Sequence, residues 1–203
     1  MTTKDSQTSS KILTAATELF ANKGFDSVSI KDIASFSETN SALISYYFGG
    51  KKQLYVQTVD KQIDNVLKMQ KEISASTIAP LEKILLYAKK ILELQLTGNH
   101  YIRLIYNELF NPTGYCDDIL TKKLLQVHGF TLQLVENAMD KGYIRKDIPS
   151  EHIAFTIGGM MVFFFIAHKH ITTYASQGKI TSPSTLEENL NIYLQTLTTG
   201  KRP

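Results

Sequence analysis

Apolar residues recur at intervals of three and four along most of this chain, which is the spacing of one face of an α-helix. Glycine, proline and capping residues interrupt this period and predict about nine helices, and no alternating pattern indicates a β-strand. The sequence therefore predicts an all-α protein. We expect a disordered tail over residues 1–8, a three-helix N-terminal domain over residues 9–55 and a larger helical domain over residues 56–203.

The stretch 29–48 predicts two short helices that meet at a tight corner. Ser29 is a good N-cap, and Asp32 follows three residues later, which is the spacing of a capping box. Asn40 is a good N-cap for the second helix, on which Ile44 lies on the inward side. Two capped amphipathic helices in this order predict a helix-turn-helix.

The outer face of the second helix carries small and hydroxyl-bearing side chains, namely Ser41, Ala42, Ser45 and Tyr46. Small residues allow a helix to lie close to another surface, and hydroxyl groups can hydrogen-bond to it. The DNA major groove accepts a helix of this kind, with the N-terminal residues nearest the base edges. An ordinary solvated surface of an all-helical protein would have the same pattern, and the pattern alone leaves both interpretations open.

Eight blocks of residues occupy about the first quarter of the chain: Ile12-Leu13-Thr14-Ala15-Ala16, Leu19-Phe20, Lys23-Gly24-Phe25, Val28-Ser29-Ile30, Asp32-Ile33-Ala34, Ile44-Ser45-Tyr46-Tyr47-Phe48, Lys51 and Leu54-Tyr55. Their order and spacing resemble the TetR family of bacterial transcriptional regulators. The chain departs from the family pattern twice. Glu38 lies at the helix-turn-helix corner where the family usually has glycine, and Ser45 lies where an aromatic residue often stands.

The resemblance implies a DNA-binding N-terminal domain and a C-terminal domain that binds an effector and forms a homodimer. It implies a regulator, expected to be a repressor, that binds a palindromic operator in double-stranded DNA and is released by an unidentified small molecule. Lys51 matches the family lysine that contacts the phosphate backbone. The residues expected to contact or position DNA are Ser29, Lys31, Asn40, Ser41, Ala42, Ser45, Tyr46, Tyr47 and Lys51.

The last two helices, expected over residues 150–177 and 183–197, are the candidates for a two-fold interface. The first is apolar nearly all round at its centre, which predicts burial on several sides at once. The second has a narrow apolar seam that is suited to another helix. As the family does, the two helices are expected to form a four-helix bundle with the partner. The predicted interface residues are Gly158, Met161, Phe165, Leu186, Leu190, Tyr193 and Leu197.

The helices from five to eight are the candidates for an effector pocket, because small-molecule sites have apolar and aromatic walls with few polar groups. Each aromatic or histidine side chain there can equally be core packing, and each charged one can face water. The predicted pocket residues are Tyr87, Arg103, Tyr106, Phe110, His128, Phe163, Phe164 and His168.

The charge balance limits the kind of DNA binding that is possible. The 203 residues include 22 Lys and Arg and 19 Asp and Glu, which gives a net charge of only +3. A protein that coats DNA without sequence preference would be strongly basic. We therefore expect any DNA affinity to come from individually placed groups.

The single cysteine, Cys116, cannot form a disulfide within the chain, and a reducing cytoplasm is therefore the expected location. The polar N-terminal stretch lacks the apolar segment of a signal peptide. The longest uncharged apolar run, residues 153–167, is shorter than the roughly 18 residues that a membrane span needs. We predict no membrane association.

Two other classes of function compete with this interpretation: an all-helical enzyme and a helical module that docks on another protein. His168 and His170 are two positions apart and lie on different helix faces, and no HExxH motif or glycine-rich phosphate loop is present. The sequence therefore predicts no catalytic residues, no metal site and no cofactor. A protein-interaction module would lack the steep salt dependence of DNA binding.

Overall fold

The computed structural model describes residues 3–96, 100–174 and 183–198, with side chains for residues 5–95, 102–167 and 185–198. Regular structure in these residues is helical, apart from one isolated bridge between Ile144 and Thr198. The all-α prediction is confirmed. The helices are α1 (Thr3–Lys23), α2 (Ile30–Phe36), α3 (Ser41–Phe48), α4 (Lys51–Ala75), α5 (Pro80–Leu96), α6 (His100–Phe110), α7 (Asp117–Ile119, a π-helical segment Leu120–Leu124, and Leu125–Asp140), α8 (Ser150–Tyr174) and α9 (Pro183–Leu197).

The chain divides into two compact units. The first comprises Met1–Val66 and Thr97–Leu124, and the second comprises Leu67–Leu96 and Leu125–Pro203. This division differs from the predicted boundary after residue 55. Because α6 packs along α1, the segment Thr97–Leu124 belongs to the first unit although it lies far beyond residue 55.

The core of the first unit is formed by the inward faces of α1 to α4. Ile12, Phe20, Ile33, Ile44 and Leu54 are completely buried there. Each of these side chains contributes about 1.5–3 kcal/mol by leaving water. Because the two short helices, α2 and α3, pack with α1 on this shared core, their outer faces are held in a fixed arrangement.

The first helix begins earlier than predicted. The sequence predicted a disordered tail to residue 8, but α1 is helical from Thr3. Asp5 lies in its first turn, where a negative charge interacts favourably with the helix dipole. The hydroxyl of Tyr47 on α3 also donates a 2.9 Å hydrogen bond to Oδ1 of Asp5. These local and long-range contacts explain why the first turns are ordered.

The core of the second unit contains the apolar seam of α9, which corrects part of the predicted dimer interface. Leu186, Leu190 and Leu197 are buried within the chain, and so is Met161 on α8. The α9 helix packs against α5 and α8 of the same chain. These four side chains are therefore core residues that cannot also form a contact surface for a partner.

The α8 helix has an exposed apolar face, so the described residues of this chain do not by themselves provide the predicted burial on several sides. Phe155 is 83% exposed and Phe163 is 65% exposed, and Ile166 is exposed beside them. Positions eight and three apart lie on one face of a helix. Residues Ser150–Ala167 have the length and composition of a membrane span, with a mean hydropathy of 1.5. Length and composition alone do not distinguish a membrane span from a helix that packs on protein.

Candidate nucleic-acid interface and effector region

The α2 helix starts at the predicted capping box. The backbone N–H of Asp32 donates to Oγ of Ser29 at 3.1 Å, and the backbone N–H of Ser29 donates to Oδ2 of Asp32 at 2.8 Å. The hydrogen bonds from Ser29 lower the pKa of the Asp32 carboxyl. The α3 helix starts at Asn40, whose Oδ1 accepts a 2.8 Å hydrogen bond from the N–H of Ala42. Both short helices therefore have their N-termini fixed by side chains.

The corner between α2 and α3 is closed by Glu38 in the left-handed conformation, with φ of 54°. The N–H of Thr39 donates to the carbonyl of Ala34 at 2.9 Å, and the N–H of Glu38 donates to the carbonyl of Ser35 at 3.2 Å. This pair of bonds is a Schellman motif, in which the left-handed position is usually glycine. A side chain in this conformation costs about 1–2 kcal/mol. The corner therefore adopts the left-handed turn without glycine.

The predicted outer face of α3 is exposed. Ser41, Ala42 and Ser45 face solvent, and Tyr46 is 78% exposed, whereas Ile44 on the opposite side is buried. These four exposed residues lie within two turns of the N-terminus of α3. The structure thus places small side chains, hydroxyls and one aromatic ring on a single accessible helix face.

Tyr47 is in a different environment from Tyr46. Its ring is half-buried, lies 4.9 Å from the ring of Tyr46, and its hydroxyl donates to Asp5. This hydrogen bond raises the pKa of Tyr47. Tyr47 therefore holds α3 against α1, a role that sequence reasoning did not assign to it.

The start of α4 carries two lysines, each placed against an aromatic ring. Nζ of Lys51 lies 4.1 Å from the ring centre of Phe25, and Nζ of Lys52 lies 4.2 Å from that of Tyr115. Ser29, the N-cap of α2, and Lys31 on α2 are exposed. Sequence reasoning identified Lys51 but missed the partner of Lys52, because Tyr115 lies far away in the sequence.

A buried carboxylate lies beneath this surface in the same unit. Glu108 is completely buried; its Oε2 accepts a 2.6 Å hydrogen bond from the Tyr55 hydroxyl, and its Oε1 accepts bonds from N and Oγ1 of Thr113 at 3.0 and 2.9 Å. Burial raises the pKa of Tyr55 above its usual range, and the bond to Glu108 raises it further. Burial also raises the pKa of the Cys116 thiol to about 12. Both oxygens of Glu108 are therefore used within the chain.

The predicted pocket residues are divided between the two units. Arg103, Tyr106 and Phe110 belong to the first unit, in which Arg103 is exposed and donates a 3.3 Å hydrogen bond to Asn22. The stacked rings of Tyr106 and Phe110 lie 6.1 Å apart, and Phe110 is exposed.

The other predicted pocket residues belong to the second unit or lie outside the described side chains. Tyr87 and Phe164 are buried, whereas His128 and Phe163 are exposed. The side chain of His168 is not among those described. Tyr87 accepts a 3.0 Å hydrogen bond from Nε2 of Gln70 and contacts Phe130 edge to face, and burial raises its pKa to about 12. Its surroundings in the second unit are therefore those of a core tyrosine.

Gln95, on α5, is a residue that sequence reasoning missed. Both amide atoms are buried, and neither has a hydrogen-bond partner in the part of the chain that the structure describes. A buried donor or acceptor without a partner costs about 1–3 kcal/mol. No sequence signal distinguishes Gln95 from a solvated glutamine, because burial depends on how α5 is packed.

The second unit also contains an open cleft of about 490 Å³ between α4 and α7. Its lining combines amide and ammonium groups with apolar side chains, and none of the predicted pocket residues is among them. The lining residues are Leu67, Gln70, Lys71, Ser74, Leu125, Gln126, Gly129, Phe130 and Gln133. Within the described residues, no group of three or more His, Cys, Asp or Glu side chains could hold a metal ion.

Two family models match this chain. Residues 12–58 match the model described as "Bacterial regulatory proteins, tetR family". Residues 80–197 match the model described as "HTH-type transcriptional dual regulator CecR, C-terminal domain". The second match covers more than half of the chain, and the first contains the whole helix-turn-helix.

Individual proteins are similar over most of the length. YttP of Bacillus subtilis (strain 168) is 26% identical over 168 residues, which are 81% of this chain and 80% of that protein. The HTH-type transcriptional repressor NicS of Pseudomonas putida is 20% identical over 166 residues, covering 81% of this chain and 78% of NicS. The structure of the ketosteroid transcriptional regulator KstR2 of Mycobacterium tuberculosis has a TM-score of 0.67 at 18% identity, covering 98% of this chain and 97% of KstR2. At this low sequence identity, the similarity to KstR2 is evidence for the fold alone.

Proposed function

The chain belongs to the TetR family of bacterial transcriptional regulators, and we propose that it is a repressor that binds a palindromic operator as a homodimer. A small-molecule effector bound to the C-terminal part would release it from the operator. Residues 9–55 would serve as the DNA-binding domain and residues 56–203 for effector binding and dimerisation. YttP and NicS are transcriptional regulators and not enzymes. We propose that this protein acts on DNA in the cytoplasm.

The observation that carries this proposal is the exposed outer face of α3. Ser41, Ala42 and Ser45 are small enough for the helix to enter a major groove, and Tyr46 can reach base edges or a thymine methyl group. Contacts to bases supply sequence preference, whereas contacts to phosphate fix position. We assign the base contacts to this face.

Phosphate contacts are assigned to groups that flank α3. Ser29, the N-cap of α2, and Lys31 on α2 precede α3 in the sequence, and Lys51 on α4 follows it. Asn40 fixes the N-terminus of α3. Tyr47 acts on DNA through its support of α3, because its hydroxyl is bonded to Asp5. Few charges are used, which agrees with the net charge of only +3.

We place the dimer interface on the exposed apolar face of α8 and α9 and not on the buried leucine seam. Phe155, Phe163 and Ile166 on α8 and Ile192 on α9 are exposed. Several apolar side chains that stay exposed on one helix favour a protein–protein interface. Two copies joined in this way would present two α3 helices to successive major grooves, as a palindromic operator requires. Gly158, Phe165 and Tyr193 are only partly buried and stay in the proposed interface.

Effector binding is supported by the buried amide of Gln95, which has no hydrogen-bond partner among the described residues. A ligand with a donor and an acceptor would satisfy both amide atoms, whereas the described chain leaves them unsatisfied. The ligand could weaken operator binding only by binding one conformation more tightly than another. The predicted pocket residues Tyr87, His128 and Phe164 remain part of this proposal, whereas the exposed Phe163 is assigned to the dimer interface.

The test is to select bound sequences from random duplex DNA with the purified protein. We expect a palindrome whose half-sites are centred about one DNA turn, roughly 34–36 Å, apart. Affinity for it should fall steeply with salt, because phosphate contacts release counterions. Tyr46→Ala should lose sequence preference, whereas Leu125→Ala, which removes an exposed apolar side chain from α7, should not. If no sequence is enriched and binding is independent of salt, a protein-interaction module becomes the better explanation.

A further inference from the structure

Tyr115 lies in the segment between α6 and α7, outside the helix-turn-helix, yet it packs on the DNA-binding domain. Its ring centre lies 5.1 Å from that of Phe25, in an edge-to-face arrangement. Nζ of Lys52 lies 4.2 Å from the same ring. An ammonium at this distance from an aromatic face is attracted by the ring quadrupole.

Phe25 holds the neighbouring lysine in the same manner. Nζ of Lys51 lies 4.1 Å from its ring centre, and the ring itself contacts Tyr55 with ring centres 5.0 Å apart. We call Phe25 and Tyr115 the aromatic bracket. The bracket holds the ammonium groups of two successive lysines at the N-terminus of α4, which begins shortly after α3 ends.

Hydrogen bonds hold Tyr115 in place from within its own segment. Its backbone N–H donates to Oγ1 of Thr113 at 3.2 Å, and Thr113 in turn donates twice to Glu108. The next residue, Cys116, is completely buried. The ring of Tyr115 is thus carried on a short segment that is anchored on both sides.

We propose that Tyr115 is a positioning residue for DNA binding, which holds Lys52 so that it joins Lys51 in contacting operator phosphate. This inference rests on the operator binding proposed above. A free lysine side chain samples many rotamers, and the ring limits them before DNA arrives. Preorganisation of this kind raises affinity without adding a contact to DNA. The segment that matches the DNA-binding family model ends at residue 58, and Tyr115 therefore contacts the DNA-binding domain from outside that segment.

The first measurement needs no DNA. In the free protein, the Lys52 side-chain methylene protons should show an upfield ring-current shift by NMR, and Tyr115→Leu should abolish it. Tyr115→Phe keeps the ring and should keep the shift. An unshifted Lys52 in the parent protein would overturn the proposed position of this side chain.

The second measurement is a double-mutant cycle on the operator obtained by the selection described above. Lys52→Met should lower the slope of log K against log salt by about 0.9, the contribution of one phosphate contact. Tyr115→Leu should weaken binding about two- to fivefold, the size of an exposed cation–π interaction. Tyr115→Phe should bind like the parent. The variant with both Tyr115→Leu and Lys52→Met should bind no more weakly than Lys52→Met alone.

The matched control pairs Tyr115→Leu with Lys31→Met, an exposed lysine on α2. These two changes should be additive, because none of the contacts described for the bracket involves Lys31. Additivity of Tyr115→Leu with Lys52→Met would overturn the inference while leaving operator binding intact. If the parent selects no operator at all, the proposed function fails, and this inference fails with it.

Discussion

The hydroxyl of Tyr55 donates a 2.6 Å hydrogen bond to Oε2 of Glu108, although the two residues lie 53 positions apart. Both side chains are buried, and the other carboxylate oxygen is occupied by Thr113. A buried charge is tolerated only when hydrogen bonds replace the lost hydration. The three donors to Glu108 therefore join the start of α4 to α6 and to the segment that carries Tyr115.

Replacement of Tyr55 by Phe should destabilise the protein. The ring and its packing would remain, but Oε2 of Glu108 would lose its donor in a buried site. We expect the free energy of unfolding to fall by about 1–3 kcal/mol, measured by urea denaturation. The control is Tyr47→Phe, which removes a more accessible hydroxyl–carboxylate bond and should have a smaller effect. Equal effects of the two variants would contradict the importance given to Glu108.

Replacement of Glu38 by glycine should stabilise the protein. Glu38 has φ of 54°, and relief of that conformation gains about 1–2 kcal/mol, against about 0.5–1 kcal/mol for the greater unfolded-state freedom of glycine. We expect a net gain of about 0.5–1 kcal/mol in chemical denaturation. Glu38→Ala keeps a Cβ atom and should show no such gain. A destabilised glycine variant would mean that the Glu38 side chain makes a compensating contribution.

Replacement of Phe163 by Glu should abolish dimer formation while leaving the protomer folded. Phe163 is 65% exposed, and its substitution therefore leaves the core unchanged but puts a charge at the centre of the proposed interface. Analytical ultracentrifugation should give a monomer, and operator affinity should fall because each half-site is then bound separately. Leu125→Glu changes an equally accessible apolar residue on α7 and should remain dimeric. A dimeric Phe163→Glu protein would place the interface elsewhere.

The sequence predicts local features better than the pairing of distant surfaces. Ser29 and Asn40 are caps that are recognisable from a few neighbours, and the structure places both as predicted. The period of α9 shows that Leu190 faces apolar surroundings, but it cannot show whether these belong to the same chain or to a partner. The pairing of Lys52 with Tyr115 is also invisible in the sequence, because it depends on how a distant segment returns to α4.

Replacement of Gln95 by Met should stabilise the protein in the absence of effector. Methionine has nearly the same length and shape, but it leaves no buried donor or acceptor without a partner. We expect the free energy of unfolding to rise by about 1–3 kcal/mol in urea denaturation. Such a gain would indicate that the amide is kept for function at the expense of stability.

The matched control is Gln70→Met in the same unit. Gln70 donates 3.0 Å hydrogen bonds to the hydroxyl of Tyr87 and to the carbonyl of Val127, and the variant would leave both acceptors without this donor. The two glutamine variants should therefore change stability in opposite directions. A compound that protects the parent but not Gln95→Met against thermal unfolding would identify the effector and place it at this amide. If Gln95→Met is destabilised as much as Gln70→Met, the amide of Gln95 has a partner within the protein and is not an effector contact.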